Sequence, residues 1–352
     1  MSTTALPLTA PKQLCILRLS AIGDVCHAVA AVQAIQRRHP DTHITWVVGK
    51  IEAALLDGLP GVELVVFDKR KGLKGYRELW HRLRHRHFDV LLHMQVALRA
   101  SAASLGIKAR VKVGFDRARA KEGQWLFTNH RIAPQPQPHV LDGFMEFART
   151  VGVTDTVPQW TMPLSDADLA FARQRIPEHT PTVLICASAS KTERNWLPER
   201  YAAVADHLVA KGYQVLLCGG PAKQEHELAS AILAAAATPL PNLVGQTSLK
   251  GLLALIQRAD LVLAPDTGPA HMAVTQGTPV VALMAHSNPA RTGPYGQQAT
   301  IVSCYQTHIE AQHRRPLAEL PWGVRAKGHG LMSHISIEQV IDALNRALPQ
   351  NR

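Results

Sequence analysis

Two stretches of this 352-residue chain put chemically capable side chains where a strand should run into a helix. The first is Ala259-Asp-Leu-Val-Leu-Ala-Pro-Asp266-Thr267-Gly268-Pro269-Ala270-His271. Leu261 to Ala264 reads as a short apolar strand, Pro265 and Gly268 punctuate it, and a helix is expected from about Pro269. Asp266 and Thr267 are residue types that cap helices. A strand, a glycine-containing turn and a helix start leave several backbone N–H groups unpaired. With the helix dipole these make an anion site suited to phosphate or pyrophosphate. His271, in the first turn, adds a donor aimed the same way. The simpler alternative is a capped turn that binds nothing. The second stretch is Ser20-Ala-Ile-Gly23-Asp24. Gly23 lets the backbone approach a ligand closely, and Asp24 sits at a helix start, as a base or merely as a cap.

Three further segments carry polar groups beyond a predicted strand end. Ser188-Ala-Ser190-Lys191-Thr-Glu-Arg194-Asn-Trp196-Leu-Pro198 offers hydroxyls, cations and a helix start, which is what a diphosphate requires. Gly219-Gly220-Pro221 with Glu225 could present a carboxylate to a pair of ribose hydroxyls, although an acid in an exposed first turn is commoner; Thr247 is grouped with them as a nucleotide-side candidate. Asn288-Pro-Ala-Arg291-Thr-Gly-Pro294-Tyr-Gly296 is a rigid, turn-rich loop. The G-x-G-x-x-G fingerprint, the P-loop, the zincin motif and the nucleophile elbow are all missing. The five cysteines lack metal-type spacing and read as reduced thiols, mostly buried. His81-Arg-Leu-Arg-His-Arg-His87 reads as a solvated basic helix face rather than a metal tract. No metal and no cofactor are therefore expected.

The formal charge of +11 is unevenly placed. Basic residues gather in Lys69-Arg70-Lys71 to Lys74, in Arg77 to Arg86 and in Arg99 to Lys121, all in the first half of the chain. That asymmetry suits an anionic substrate or an anionic membrane face. Nucleic acid is disfavoured, because no stacking aromatics or recognisable binding motif accompany the charge. No run approaches the ~18 apolar residues of a membrane span. Met1 to Ala10 lacks the basic start and apolar stretch of a secretory signal, so a cytosolic location is expected.

These segments need a scaffold. Apolar strands alternate with helical patterns from Leu14 onward: strands at Leu14–Leu19, Ile44–Val48, Leu64–Phe67 and Asp89–Met94, helices at Val25–Arg38 and Tyr76–Arg86. A Pro-rich passage and a helix near Asp166–Arg175 lead to Pro181, and the alternation restarts at Thr182. The expectation is an α/β chain of two doubly wound domains, residues 1–178 and 179–330, with ligands at the carboxyl ends of the strands, in a cleft between the halves. A helix within 331–352 closes the chain.

The combination Leu-Arg-Leu-Ser20-Ala-Ile-Gly23-Asp24, Arg194-Asn-Trp196-Leu-Pro198, Asp266-Thr-Gly-Pro-Ala-His271 and Asn288-Pro-x-Arg291-Thr-Gly-Pro-Tyr295 resembles the glycosyltransferases that transfer heptose in lipopolysaccharide core synthesis. Met94-Gln95, Glu122-Gly-Gln-Trp-Leu-Phe127, His139-Val-Leu-Asp-Gly-Phe144 and Leu320-Pro-Trp322…Lys327-Gly328 are most similar to the heptosyltransferase I group, which acts on the first, often phosphorylated, Kdo (3-deoxy-manno-octulosonic acid) of the inner core. The resemblance implies a GT-B fold, an ADP-heptose donor, inversion at the anomeric carbon and no required metal. It implies that Asp24 is the catalytic base and that Asp266, Thr267, Gly268 and His271 form the donor-phosphate loop, with Ser190 beside them. The family usually carries Lys two positions before the Trp, where this chain has Arg194, with Lys191 three residues earlier. The family's ribose acid falls on Lys223 or Glu225. Ser20, Gly23, Lys69, Arg70, Lys71, Arg99 and Lys121 would receive the Kdo-lipid A acceptor, and the same basic surface would lie on the anionic inner leaflet. The terminal helix is expected to cross back onto the first domain. Competing readings are a transferase of the same fold using another nucleotide sugar or a later core acceptor, and a non-catalytic polyanion-binding protein.

Overall fold

The computed structural model describes residues 10–348. All but the last residue of the Met1 to Ala10 stretch considered above lies outside the described residues, as does the chain beyond 348. The chain divides into two compact units, the first ending at Pro163 and the second beginning at Leu164.

The first unit is built on a wholly parallel sheet of β1 (Gln13–Leu17), β2 (His43–Gly49), β3 (Val62–Phe67), β4 (Phe88–His93), β5 (Ala109–Gly114) and β6 (His130–Arg131), in the order β3-β2-β1-β4-β5-β6. Its central strands are unbroken apolar runs rather than alternating ones, as expected where helices cover both faces: Leu14 to Leu17 and Ile44 to Val48 are buried throughout. One core joins Cys15, Leu17, Val47, Val65 and Leu91 to Leu79 and Leu83 of the helix Leu73–Leu83. β1 pairs with β2 on one side and β4 on the other. The strand order therefore reverses beside β1, and such a reversal opens a crevice at the carboxyl ends of the two strands.

The second unit repeats the plan with β7 (Thr182–Ile185), β8 (Gln214–Leu217), β9 (Leu261–Pro265), β10 (Val280–Met284) and β11 (Ile301–Ser303), ordered β11-β10-β9-β7-β8, all parallel. Here the reversal falls between β7 and β9. Trp196, Tyr201 and Tyr305 are fully buried in its core.

Two sequence expectations need correction. The boundary lies at Pro163/Leu164 rather than 178/179, because the helix Asp166–Arg175 packs on the helix Leu249–Arg258 of the second unit. Arg258 fastens the end of that segment by donating to the Ile176 carbonyl. The terminal helix, Ile337–Ala347, belongs to the core of the second unit, where Val340, Ala343 and Leu344 pack with the helix Pro198–Ala210 and with β10 and β11. The segment after Gly296, to which no element was assigned, contains β11 and the helix Tyr305–His313.

Among the described residues no helix is long and apolar enough to cross a membrane. All five cysteines are free thiols, four of them buried.

Candidate functional site

In the first unit the chain leaves β1 through Arg18, Leu19 and Ser20 and enters the helix Ile22–Arg38, with Asp24 at its third position. The Asp24 carboxylate closes this turn by accepting through Oδ2 from the Ala21 amide at 3.4 Å. The same oxygen is paired with the Arg18 guanidinium. Arg18 is almost wholly buried, donates to the Met94 carbonyl at 2.6 Å and lies over the Phe144 ring, 5.2 Å from its centroid. Burial lowers the Arg18 pKa from its ordinary value, and the Asp24 carboxylate opposes that shift. Asp24 itself is about one-third exposed, at 34%, and its Oδ1 has no hydrogen-bond partner among the described residues.

The neighbouring loop beyond β4 completes the cluster. The Gln95 carboxamide oxygen accepts from the Leu19 amide at 2.7 Å, and Arg99 donates to the Ser20 hydroxyl at 3.0 Å. Gln95 is held in turn by Gln124, which donates to the carbonyls of His93 (2.8 Å) and Gln95 (3.2 Å). Glu52, from the helix Lys50–Leu56, is buried nearby; burial raises its carboxyl pKa, while Lys69, Arg99 and Arg18 oppose the rise. The loops beyond β1 and β4 thus bring Ser20, Gly23, Asp24 and Arg99 together. Lys69, Arg70 and Lys71 form an exposed turn capped by Asp68, and Lys71 is taken up by Glu78 at 2.7 Å. Lys121 is exposed in the loop after β5, whose next residue, Glu122, accepts from the Leu98 amide at 2.7 Å.

In the second unit the loops of β7 and β9 meet. Arg194, on a single helical turn after β7, donates to the Asp266 carbonyl at 3.1 Å and faces its carboxylate at 3.5 Å. Lys191 points away from this contact, exposed, 3.9 Å from Glu193. Of the two cations, Arg194 is the one that meets the β9 loop. Thr267 holds the cap position of the helix Gly268–Gln276 without a side-chain cap bond, so the helix start is not closed off by its own threonine. Asp266, expected as a cap, instead anchors the arginine. His271 is buried in the first turn of that helix, and Ser190 is exposed at the loop tip.

The next loop outward, after β8, carries Glu225. Its carboxylate accepts from the Gly220 amide at 2.6 Å and leaves no room for a side chain there: a Cβ on either Gly219 or Gly220 would lie 2.8 Å from a Glu225 oxygen. A small cavity lined by Ser188, Cys218, Gly219, Glu225 and Val244 opens beside it. The Gly245 amide donates to Gly219 at 3.0 Å, bringing in the turn that holds half-buried Thr247. Lys223, the other position the ribose acid could have taken, is an exposed cation paired with Glu227 at 3.3 Å. Cys186 and Cys218 sit side by side on the floor; the Cys218 thiol and burial push Cys186 well above the ordinary thiol range.

Other motif residues prove structural. Trp196 is buried, with its indole N–H on the Ile335 carbonyl at 3.0 Å. Asn288 caps the short helix Pro289–Thr292 by accepting from Ala290 at 3.0 Å.

The sequence profile described as glycosyltransferase family 9 (heptosyltransferase) matches residues 76–322, well over half of the chain. The chain belongs to that family. The lipopolysaccharide core heptosyltransferase OpsX of Haemophilus influenzae is 48% identical over 96% of this chain and 97% of its own. Among solved structures, a family 9 glycosyltransferase from Veillonella parvula superposes with a TM-score of 0.80 at 24% identity, over 97% of this chain and 98% of that one. Escherichia coli ADP-heptose LPS heptosyltransferase II does so with 0.71 at 21%, over 96% and 98%. The fold is accordingly GT-B, and the family 9 chain is a glycosyltransferase enzyme.

The family 9 crevice contains two residues, Arg18 and Gln95, that entered the sequence reading only as parts of the resembling motifs and were given no role there. A signal existed for the first: an arginine inside an otherwise apolar strand run, six residues before the candidate acid, is costly to bury unless paired. Gln95 gave none beyond its place in the Met94-Gln95 motif, since a glutamine past a strand end is by itself unremarkable.

Proposed function

We propose that this enzyme is a heptosyltransferase of the lipopolysaccharide inner core, type I: it moves L-glycero-D-manno-heptose from ADP-heptose onto Kdo, with inversion. The observation that carries the reading is Asp24, held through one carboxylate oxygen with the other open, in a crevice that also holds Arg99 and Ser20. The motifs shared with the type I group, and a relative named for the lipopolysaccharide core, support the substrate assignment. Oδ1 of Asp24 accepts the proton of the attacking Kdo hydroxyl while its oxygen bonds to C1 of the heptose. The bond from C1 to the ADP oxygen breaks, and the charge left on the diphosphate is met by Arg194, the start of the helix Gly268–Gln276 and His271. These groups are why no metal is expected. Glu225 and Gly220, with Thr247 nearby, are assigned to the nucleoside end, and Lys69, Arg70, Arg99 and Lys121 to the acidic acceptor.

A transfer assay tests this directly. ADP-heptose with Kdo-lipid A or its 4-phosphorylated form should give heptosylated product and stoichiometric ADP. Product only with an already heptosylated acceptor would move the enzyme to a later core step. ADP release only from a different sugar nucleotide would end the donor assignment.

The reading also places the enzyme on the cytoplasmic face of the inner membrane, where a lipid-anchored acceptor lies. The large, most exposed apolar side chains among the described residues all fall in the first unit. Leu73, Leu98, Trp125 and Leu126 follow the carboxyl ends of β3, β4 and β5, the segments that bear Lys69, Arg70, Arg99 and Lys121. Cations among exposed apolar groups suit an anionic bilayer. The protein should co-sediment with phosphatidylglycerol vesicles and far less with phosphatidylcholine ones. Replacing Trp125 and Leu126 by Ser should weaken that binding about tenfold, as expected from ~1.4 kcal/mol of lost apolar burial. Equal recovery with both vesicle types would remove the membrane from the reading.

A further inference from the structure

We infer that Arg18 is the positioning residue of the reaction: it fixes Asp24 so that a single carboxylate oxygen, Oδ1, is left to take the acceptor's proton. The inference rests on Asp24 being the base and adds the residue through which that base is aimed.

The placement is over-determined. Arg18 is the first residue past β1, on a strand flanked by β2 and β4, so its backbone is fixed by the sheet; its amide donates to the Val47 carbonyl at 3.2 Å and its carbonyl accepts the Trp46 indole N–H at 3.1 Å. Its guanidinium is fixed independently, by the Met94 carbonyl at 2.6 Å and by the face of Phe144. A planar guanidinium anchored at one nitrogen presents its next nitrogen in a set direction, which a lysine ammonium does not. That nitrogen, Nη2, meets Oδ2 of Asp24. Oδ2 also accepts from the Ala21 amide, so this oxygen is occupied and the carboxylate plane is set.

The remaining charged neighbours do not compete for Asp24. Arg99 spends its bond on the Ser20 hydroxyl, and Glu52 lies among Arg18, Arg99 and Lys69. Cys26, two residues further along the helix, is a buried thiol that burial and then the Asp24 charge keep protonated.

The test is steady-state kinetics of Arg18→Met and Arg18→Lys, with saturation curves for both substrates and melting temperatures. Methionine keeps the packing against Phe144 but leaves Asp24 held only by the Ala21 amide. Its kcat should fall about 100-fold, in the range by which general-base catalysis contributes, with both KM values within about twofold of the parent. Arg18→Lys, which keeps the charge without the fork, should recover about tenfold of that loss. A kcat within threefold of the parent in Arg18→Met, or a loss carried by a rising KM, overturns the inference. If Arg18→Met does not fold, Arg18→Lys decides alone: a lower kcat at unchanged KM supports the inference, and an unchanged kcat overturns it. Asp24→Asn separates the two claims. Near-normal turnover in Asp24→Asn removes the base and this inference together, whereas an inactive Asp24→Asn with an undisturbed Arg18→Met removes the arginine's role only.

Discussion

Asp24→Asn should lower heptosyl transfer by about three orders of magnitude while leaving the affinity for ADP-heptose within about twofold. The size follows from the removal of a general base, whose contribution spans roughly 10²- to 10⁴-fold. Asparagine preserves the shape and still offers an oxygen to the Arg18 guanidinium and the Ala21 amide, which are the contacts that hold this turn. Fold and helix start should therefore survive, and the loss should appear in kcat. Nucleotide affinity should be spared because the groups assigned to the nucleotide, Gly220, Glu225 and the Arg194–Asp266 contact, all lie in the second unit. Calorimetric titration with ADP and a discontinuous assay of heptosylated product measure the two quantities separately. Turnover within tenfold of the parent would show that the proton leaves by another route.

Which parts of this arrangement were visible in the sequence follows from what each part depends on. Strand β1 and its helix were legible because local signals agree: an unbroken apolar run, a glycine, an acid, then a long alanine- and valine-rich helix. The strand order was not legible, since it depends on pairing between distant segments. That order is what makes the site: β1 lies beside β4, and Ser20 therefore meets Arg99 across 79 residues of sequence. Lys191 and Arg194 stayed undecided for the same reason: both are cations on one loop, and only the meeting of the β7 and β9 loops distinguishes their contacts. The helix Tyr305–His313 was missed because it is polar on most sides, with only Tyr305 and Ile309, four residues apart, buried. The domain boundary was misplaced because the junction was put at the start of the next strand, although the preceding helix packs on the helix Leu249–Arg258. The terminal helix has a clear apolar stripe, but a stripe does not say which surface it will cover.

The separation of the two cations gives the other large expectation. Arg194→Met should lower kcat about 100-fold and weaken ADP-heptose binding, whereas Lys191→Met should stay within about threefold of the parent. The first magnitude is that of removing one preorganised donor to a developing oxyanion. Two effects act in the same direction. The diphosphate loses a guanidinium fixed on the Asp266 carbonyl, and the half-buried Asp266 carboxylate loses its cation and is left to repel the substrate's own charge. Lys191, exposed and facing Glu193, has neither role, so its removal costs only a screened surface charge. Arg194→Lys should recover part of the loss, because it restores the cation the family usually carries there but not the planar fork that holds the Asp266 carbonyl. Initial rates with varied ADP-heptose for the three variants read this out. A severe loss in Lys191→Met beside a mild one in Arg194→Met would mean that the loop rearranges when the nucleotide arrives, exchanging one cation for the other. The Asp266 contact would then be a resting state, broken before the glycosidic bond is made.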